Sequence, residues 1–244
     1  MKRVRLIRHG ESAANAGAAS HDHATIPLTA KGMEQARQVA RSVIRAPELI
    51  VVSPFSRAQV TASFTAAAFP AAALETWPIE EFTYLAPARC VNTTVAQRRG
   101  WVDQYWTKAD PSHHDGEGAE SFLDFVDRGR TFLDRLAAHP AQDIVAFSHG
   151  QFLNVLAWLI ERRSVLIDGR AMTDWRHYEI THHVPNGCGY QLYAEQDDAT
   201  WRLSHSISVE GVIEATQRQL EAEQTPAEDA RSAKAQGCPA TSAG

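Results

Sequence analysis

Two rhythms of apolar and polar positions run along this chain. Val4 to Ile7 is a short unbroken apolar run that stops at Arg8, and Leu49 to Val52 repeats the pattern. So does "DIVAF", Asp143 to Phe147, which leads into Ser148-His149-Gly150. Runs of this length without alternation predict strands covered on both faces. Between them the spacing becomes helical. Thr29 is a candidate N-cap for a helix with Met33, Ala36, Val39, Ala40, Val43 and Ile44 at helical spacing, closed by Pro47. "SPFSRAQVTASFTAAAF" starts a second helix, with Ser53 or Ser56 as its cap. Glu120 opens a third, its face marked by Phe122, Phe125, Val126, Leu133 and Leu136, and an apolar helix spans Phe152 to Ile160.

Strand and helix in alternation predict an α/β chain with a parallel sheet and right-handed crossovers. Other stretches are less regular. "ESAANAGAAS" reads as a helix start or a loop, and Leu74 to Phe82 as a third strand or an extended loop. Tyr178 to Val184 and Tyr190 to Tyr193 alternate like hairpin strands around Asn186-Gly187, and Trp201 to Ile207 reads as a last strand. From Thr83 to Gly118 the periodicity fades, which predicts an excursion from the sheet. The expected domain therefore covers 1–214, with 83–118 as an insertion or lid. A helical stub and a disordered tail are expected over 215–244.

Composition changes this picture little. With 244 residues, 44% hydrophobic and 22% charged, the chain has the make-up of a soluble globular protein. A formal net charge of −5 gives no reason to expect nucleic acid as a partner, so an anionic ligand must be held by a local cluster. Cys90, Cys188 and Cys238 are odd in number and widely spaced, which fits a reducing compartment. Met1 to Ile7 is basic, but its apolar part is too short for a signal peptide. No run approaches the roughly 18 apolar residues of a membrane helix, so no membrane partner and a cytoplasmic location are expected.

The chemistry concentrates where strands end. "LIRHG" and "AFSHG" both finish an apolar run with His-Gly. In open α/β sheets ligands bind at the carboxyl ends of strands, and the helix N-termini that follow aim N–H groups at an anion. His9 and His149 are therefore expected across one crevice. Arg57 follows the run Leu49 to Val52 at the same edge. With Arg8 it offers a planar, multi-donor clamp suited to phosphate oxygens. "PIEEF" supplies Glu80 and Glu81, of which an extended backbone turns only one into a shared pocket. Flanked by Ile79 and Phe82, a desolvated carboxyl there would keep its proton near neutrality.

"RHGES" with Asn15, "PLTAKGMEQA", "SPFSRAQVTA", the "IEEF" acid and "SHG" stand in the order found in the histidine phosphatase superfamily, the phosphoglycerate mutase-like group. The chain resembles that family from Arg8 to Gly150. The resemblance implies a three-layer α/β/α sandwich with a mostly parallel central sheet and an insertion over the active site. It implies a phosphatase that needs neither metal nor cofactor, acting on a small phosphorylated substrate through a phosphohistidine. His9 would be the nucleophile and Glu81 the proton donor and later base. Arg8, Arg57, His149 and Asn15 would hold the phosphate. A homodimer is left open.

Departures from the family pattern bear on substrate and reaction. Ile26 stands before "PLT" where relatives often carry an acid, and Gln151 and Asn154 follow "SHG" where many have another glycine and later an arginine. "EEFTYL" does not match the mutase subgroup, which favours hydrolysis over a mutase-like phosphotransfer, and the presence of all the expected catalytic residue types argues against a non-catalytic phospholigand-binding role on the same fold. "SHDHAT" and "PSHHDGE" invite a metal reading, but neither has ligand spacing, and solvated loops are the expectation. His182 and His183 are given no role.

Overall fold

The computed structural model describes residues 1–163, 166–195 and 198–207. The stub and tail expected over 215–244 lie outside them. Four strands, β1 (Lys2–Arg8), β2 (Leu49–Val52), β3 (Ala73–Thr76) and β4 (Asp143–Ser148), run parallel to one another. Two more, β5 (Gly189–Glu195) and β6 (Asp198–Ile207), close the sheet as an antiparallel pair, and β5 is antiparallel to β1. The spatial order is β3-β2-β4-β1-β5-β6. The α/β class and the mostly parallel sheet are as the sequence predicts.

Seven helices occur among the described residues: α1 (Ala30–Arg41), α2 (Ser56–Ala68), α3 (Pro87–Cys90), α4 (Val95–Lys108), α5 (Phe122–Ala138), α6 (Gly150–Arg162) and α7 (Gly169–Thr181). Thr29 caps α1 by accepting from the Gly32 amide. The helix stops at Arg41, before Pro47, so Val43 and Ile44 lie outside it and Ile44 is 73% exposed. Neither serine caps α2. Phe55 is its N-cap residue, and Ser53 instead accepts from the Phe55 amide.

Three regions read weakly in the sequence took definite form. Only Ala73–Thr76 pairs as a strand, and Trp77 to Phe82 continues as an extended segment across the carboxyl edge. The excursion is helical. Thr94 and Gln97 form a capping box on α4, and Tyr105 buries among Phe82, Tyr84 and Trp106. The expected strand over Tyr178 to Val184 is a correction: Gly169–Thr181 is helix, capped by Asp168. Ala171, Met172, Trp175 and Tyr178 bury at helical spacing, while Ile180, which suggested alternation, is 61% exposed. Asn186 and Gly187 still form the turn into β5, with Gly187 at φ +76°.

The core lies between the sheet and α5, α6 and α7, where Phe122, Phe125, Phe152, Trp158 and Trp175 are fully covered. Truncating one of these rings would cost about 3–5 kcal/mol. Such packing fixes β1 and β4 side by side, with Arg8 opposite Ser148 in the register.

Candidate active site

The register brings the two His-Gly strand ends together. His9 and His149 are both buried, and their ring centroids stand 5.0 Å apart. The rings are anchored by opposite nitrogens. His9 Nδ1 lies 2.7 Å from the Gly10 carbonyl, which can only accept, so Nδ1 carries the proton and Nε2 keeps a lone pair. Arg57 Nε donates to that Nε2 at 3.1 Å. At His149 it is Nε2 that is held, 2.8 Å from Ser53 Oγ. Ser53 Oγ also accepts from the Phe55 amide, and its rotatable hydroxyl can donate to His149 Nε2. With the hydroxyl so turned, the imidazole proton sits on His149 Nδ1, which is buried and has no partner among the described residues.

Burial, reinforced by the nearby guanidinium of Arg57, holds both imidazoles well below the usual histidine range. Both are neutral at physiological pH, His9 with a lone pair at Nε2 and His149 with Nδ1 unpartnered among the described residues.

Arg8 and Arg57 converge on the same place. Arg8 Nη1 donates to the Val184 carbonyl at 2.6 Å, while its Nε is buried without a partner among the described residues. A Cβ on Gly150 would stand 3.4 Å from that Nε, in van der Waals contact with the guanidinium. Arg57 Nη1 donates to the His23 carbonyl at 2.6 Å, and its guanidinium lies over the Phe55 ring. Desolvation brings Arg57 down to about 10, which still leaves it charged.

The "IEEF" pair separates as an extended backbone requires. Glu80 turns toward Arg128, 3.6 Å away, and Glu81 toward the pocket. Glu81 Oε1 accepts from the Gln151 amide at 3.1 Å and from its neighbour Phe82 at 3.3 Å. Burial pushes its carboxyl above the usual range, although the charges of Arg57 and Arg8 pull the other way. Asn15 sits at the rim. Its Oδ1 accepts from the Ser12 amide, Ser12 Oγ and Asn186 Nδ2, and Asn186 also donates to the His9 carbonyl at 3.0 Å.

Arg57, Glu81 and Gln151 open onto a pocket of about 280 Å³. Ile26, Phe55, Tyr84, Leu85, Val95 and Val102 line it, so the excursion supplies much of its wall. His23 lines it too, whereas His21 meets Asn92, His113 meets Lys108 and His114 meets Asp124. Asn154 is structural, accepting from Tyr190 and donating to the His182 carbonyl. His183 approaches Arg8 Nη1 at 3.4 Å.

Sequence reasoning gave Ser53, Gln151 and Asn186 no place in the site and named Gly10 only as part of the His-Gly strand end. Ser53 reads as a cap candidate, Gln151 as a departure from the family pattern and Asn186 as half of a turn dipeptide. Three of the four act through backbone groups or stand behind the ring they orient.

The unpartnered Arg8 Nε and His149 Nδ1, the Arg57 guanidinium and the lone pair of the neutral His9 imidazole gather at one strand-end edge with the chemistry to hold a tetrahedral anion. The class follows: the chain belongs to the histidine phosphatase superfamily (branch 1), whose sequence model matches residues 4–194, and is a phosphomonoesterase of that family. It is 31% identical over 219 residues to adenosylcobalamin/alpha-ribazole phosphatase of Escherichia coli (strain K12), covering 85% of this chain and 97% of that one. Among solved structures it resembles the alpha-ribazole phosphatase of Shigella flexneri, with a TM-score of 0.65 and 25% identity over 85% of this chain and 96% of that one. Phosphoserine phosphatase of Entamoeba histolytica shares the fold, with a TM-score of 0.66 and 19% identity over 86% of this chain and 99% of that one. Among the described residues no helix is long and apolar enough to cross a membrane.

Proposed function

We propose that the protein hydrolyses small phosphomonoesters, without a metal, through a phosphohistidine on His9. The observation that carries this reading is the opposite anchoring of the two imidazoles, His9 by Nδ1 with a lone pair left at Nε2, and His149 by Nε2 with Nδ1 left unpartnered, where it is a donor when Ser53 gives its proton to Nε2. Phosphate displaces Arg57 from Nε2 and takes up its guanidinium, together with Arg8 Nε and His149 Nδ1. Asn15, its amide oxygen already occupied, offers Nδ2 as a neutral donor. His9 Nε2 then attacks phosphorus. The N–P bond forms as the bond to the ester oxygen breaks, and protonated Glu81 gives its proton to that leaving oxygen. Charge spreading over the equatorial oxygens is met by donors already in place. In the second half Glu81, now a carboxylate, takes a proton from water, which attacks phosphorus and releases His9 and inorganic phosphate.

The leaving alcohol we propose has an apolar, ring-bearing body, because Ile26, Phe55, Phe82, Leu85 and Val102 line the pocket, with Thr83, Tyr84 and Arg98 adding a few polar groups that can orient it. An alpha-ribazole phosphate, the kind of substrate named for the Escherichia coli relative, belongs to that class. One chain supplies every group the reaction needs. A cytoplasmic setting goes with this reading.

Phosphate release from aryl, nucleoside, sugar and amino-acid phosphates, with chelator present, tests the whole. Ring-bearing esters should give the highest kcat/KM, and acid-labile label should appear on His9 during turnover. Activity abolished by chelator, or label that never appears, would overturn the reaction scheme. A preference for polyol phosphates would overturn the substrate class alone. Transfer between positions of one substrate with no net phosphate release would make the enzyme a mutase.

A further inference from the structure

Arg128 on α5 lies behind the phosphate donors, and its guanidinium is tied to the backbone that presents Glu81. Nη1 donates to the Glu80 carbonyl at 2.9 Å and to the Pro78 carbonyl at 3.3 Å. Nε and Nη2 make a two-pronged bond to the Glu120 carboxylate, at 2.8 and 2.7 Å. The guanidinium also stands over the rings of Phe125 and Phe152, and the side chain is only 17% exposed. Because a guanidinium is a rigid plane, fixing two nitrogens on Glu120 fixes where the third one points. From the sheet side, Ser148 Oγ donates to the Ile79 carbonyl at 2.6 Å. Three successive carbonyls, of Pro78, Ile79 and Glu80, are thus held in turn by α5 and β4. Glu81 is the next residue, and its carboxyl meets the Gln151 amide.

We infer that Arg128 is a positioning residue for proton transfer: by holding the Pro78–Glu80 backbone on α5, it sets the reach of the Glu81 carboxyl to the leaving oxygen. The inference rests on Glu81 being the proton donor. A general acid must come within roughly 2.6–3.2 Å of the atom it protonates. A misplacement of about 1 Å can cost on the order of 10²-fold. Lysine, a point charge without the planar fork, should not replace Arg128.

The test compares two ring-bearing substrates that differ in their need for a proton. Benzyl phosphate releases a strongly basic alkoxide unless it is protonated, whereas p-nitrophenyl phosphate releases a stable phenolate. Glu81→Gln of the full chain is the reference and should lose far more activity on benzyl phosphate. Arg128→Lys and Arg128→Met should show the same bias, about 10-fold more loss of kcat/KM on benzyl phosphate, a part of the 10²–10⁴-fold typical of general acid catalysis. The quantity is kcat/KM because it reads only the steps up to loss of the leaving alcohol, whereas hydrolysis of the phosphoenzyme is common to both substrates. Equal losses on the two substrates, or none, would overturn the inference and leave Arg128 a packing residue. If Glu81→Gln itself shows no bias, the proton-donor assignment fails first and the inference with it. Should the Arg128 variants not fold, Glu120→Gln, which frees one prong of the fork, must still show the bias in smaller degree, and its absence there counts against the inference.

Discussion

The two strand ends of this site carry the same dipeptide and anchor its ring in opposite ways. On β1, His9 is fixed by Nδ1 on its neighbour's carbonyl and turns Nε2 to Arg57. On β4, His149 is fixed by Nε2 on Ser53 and leaves Nδ1 unpartnered. An imidazole has one donor and one acceptor when neutral, so whichever nitrogen the protein ties down decides what the other can do. A carbonyl anchor makes a nucleophile, and a hydroxyl that gives its proton makes a donor. The same two letters therefore encode opposite chemistry, and the difference lies in residues far away in sequence.

The sharpest way to break this comparison is to remove each ring. His9→Ala should lower kcat by about 10⁴-fold or more, as expected when the nucleophile of a covalent mechanism is lost. No acid-labile label should form on it. A residual activity with label still present would move the nucleophile elsewhere.

Glu81 serves the β1 end. Glu81→Gln should cost on the order of 10²–10⁴-fold on poor leaving groups. The pH profile separates the two participants. His9 must be neutral, and burial with Arg57 holds its pKa well below 6.5, so activity should fall only as the pH drops through that lowered value. Glu81 must be protonated, and burial raises its pKa, so activity should also fall as the pH rises through that raised value. The limb on the alkaline side should vanish in Glu81→Gln while the acidic limb stays. If the alkaline limb persists, another group donates the proton.

His149→Ala should cost less, about 10²–10³-fold, the usual loss for one donor of a charge-stabilising set. Unlike His9→Ala it should still form the phosphoenzyme, slowly. Equal damage from the two variants in a trapping experiment would erase the distinction between the strand ends. Ser53→Ala frees the His149 ring without removing it, and about 10-fold is the expected loss, since orienting partners of this kind typically contribute 10- to 100-fold. A nitrogen-resolved NMR titration should show the proton of His149 redistributed between Nδ1 and Nε2 in that variant, and an unchanged tautomer would assign the orientation to something other than Ser53.

Much of this was legible along the chain because it is local. Continuous apolar runs marked β1, β2 and β4, since a strand covered on both faces has no polar side to alternate with. The paired His-Gly ends and Arg57 could be placed at one sheet edge because parallel strands all finish on the same side. Other parts misled for physical reasons. Tyr178, Ile180 and Val184 alternate, yet Asp168 caps a helix there and Trp175 fills the core, so tertiary packing overrode a short pattern. The excursion seemed aperiodic because α4 buries only Tyr105 outright and its other aromatic residues lie half-covered.

By itself the sequence determined the fold class and marked the candidate phosphate-binding residues and the acidic pair, because residue type and strand-end position are written in order along the chain. Only the tertiary structure decided which glutamate faces the pocket, which nitrogen of each histidine is anchored and what holds the backbone that leads into Glu81. Those depend on Arg128, Ser53, Gly10 and Gln151, partners that meet their targets across helices and strands, and hydrogen-bond geometry between distant segments exists only once the core has set the elements against one another.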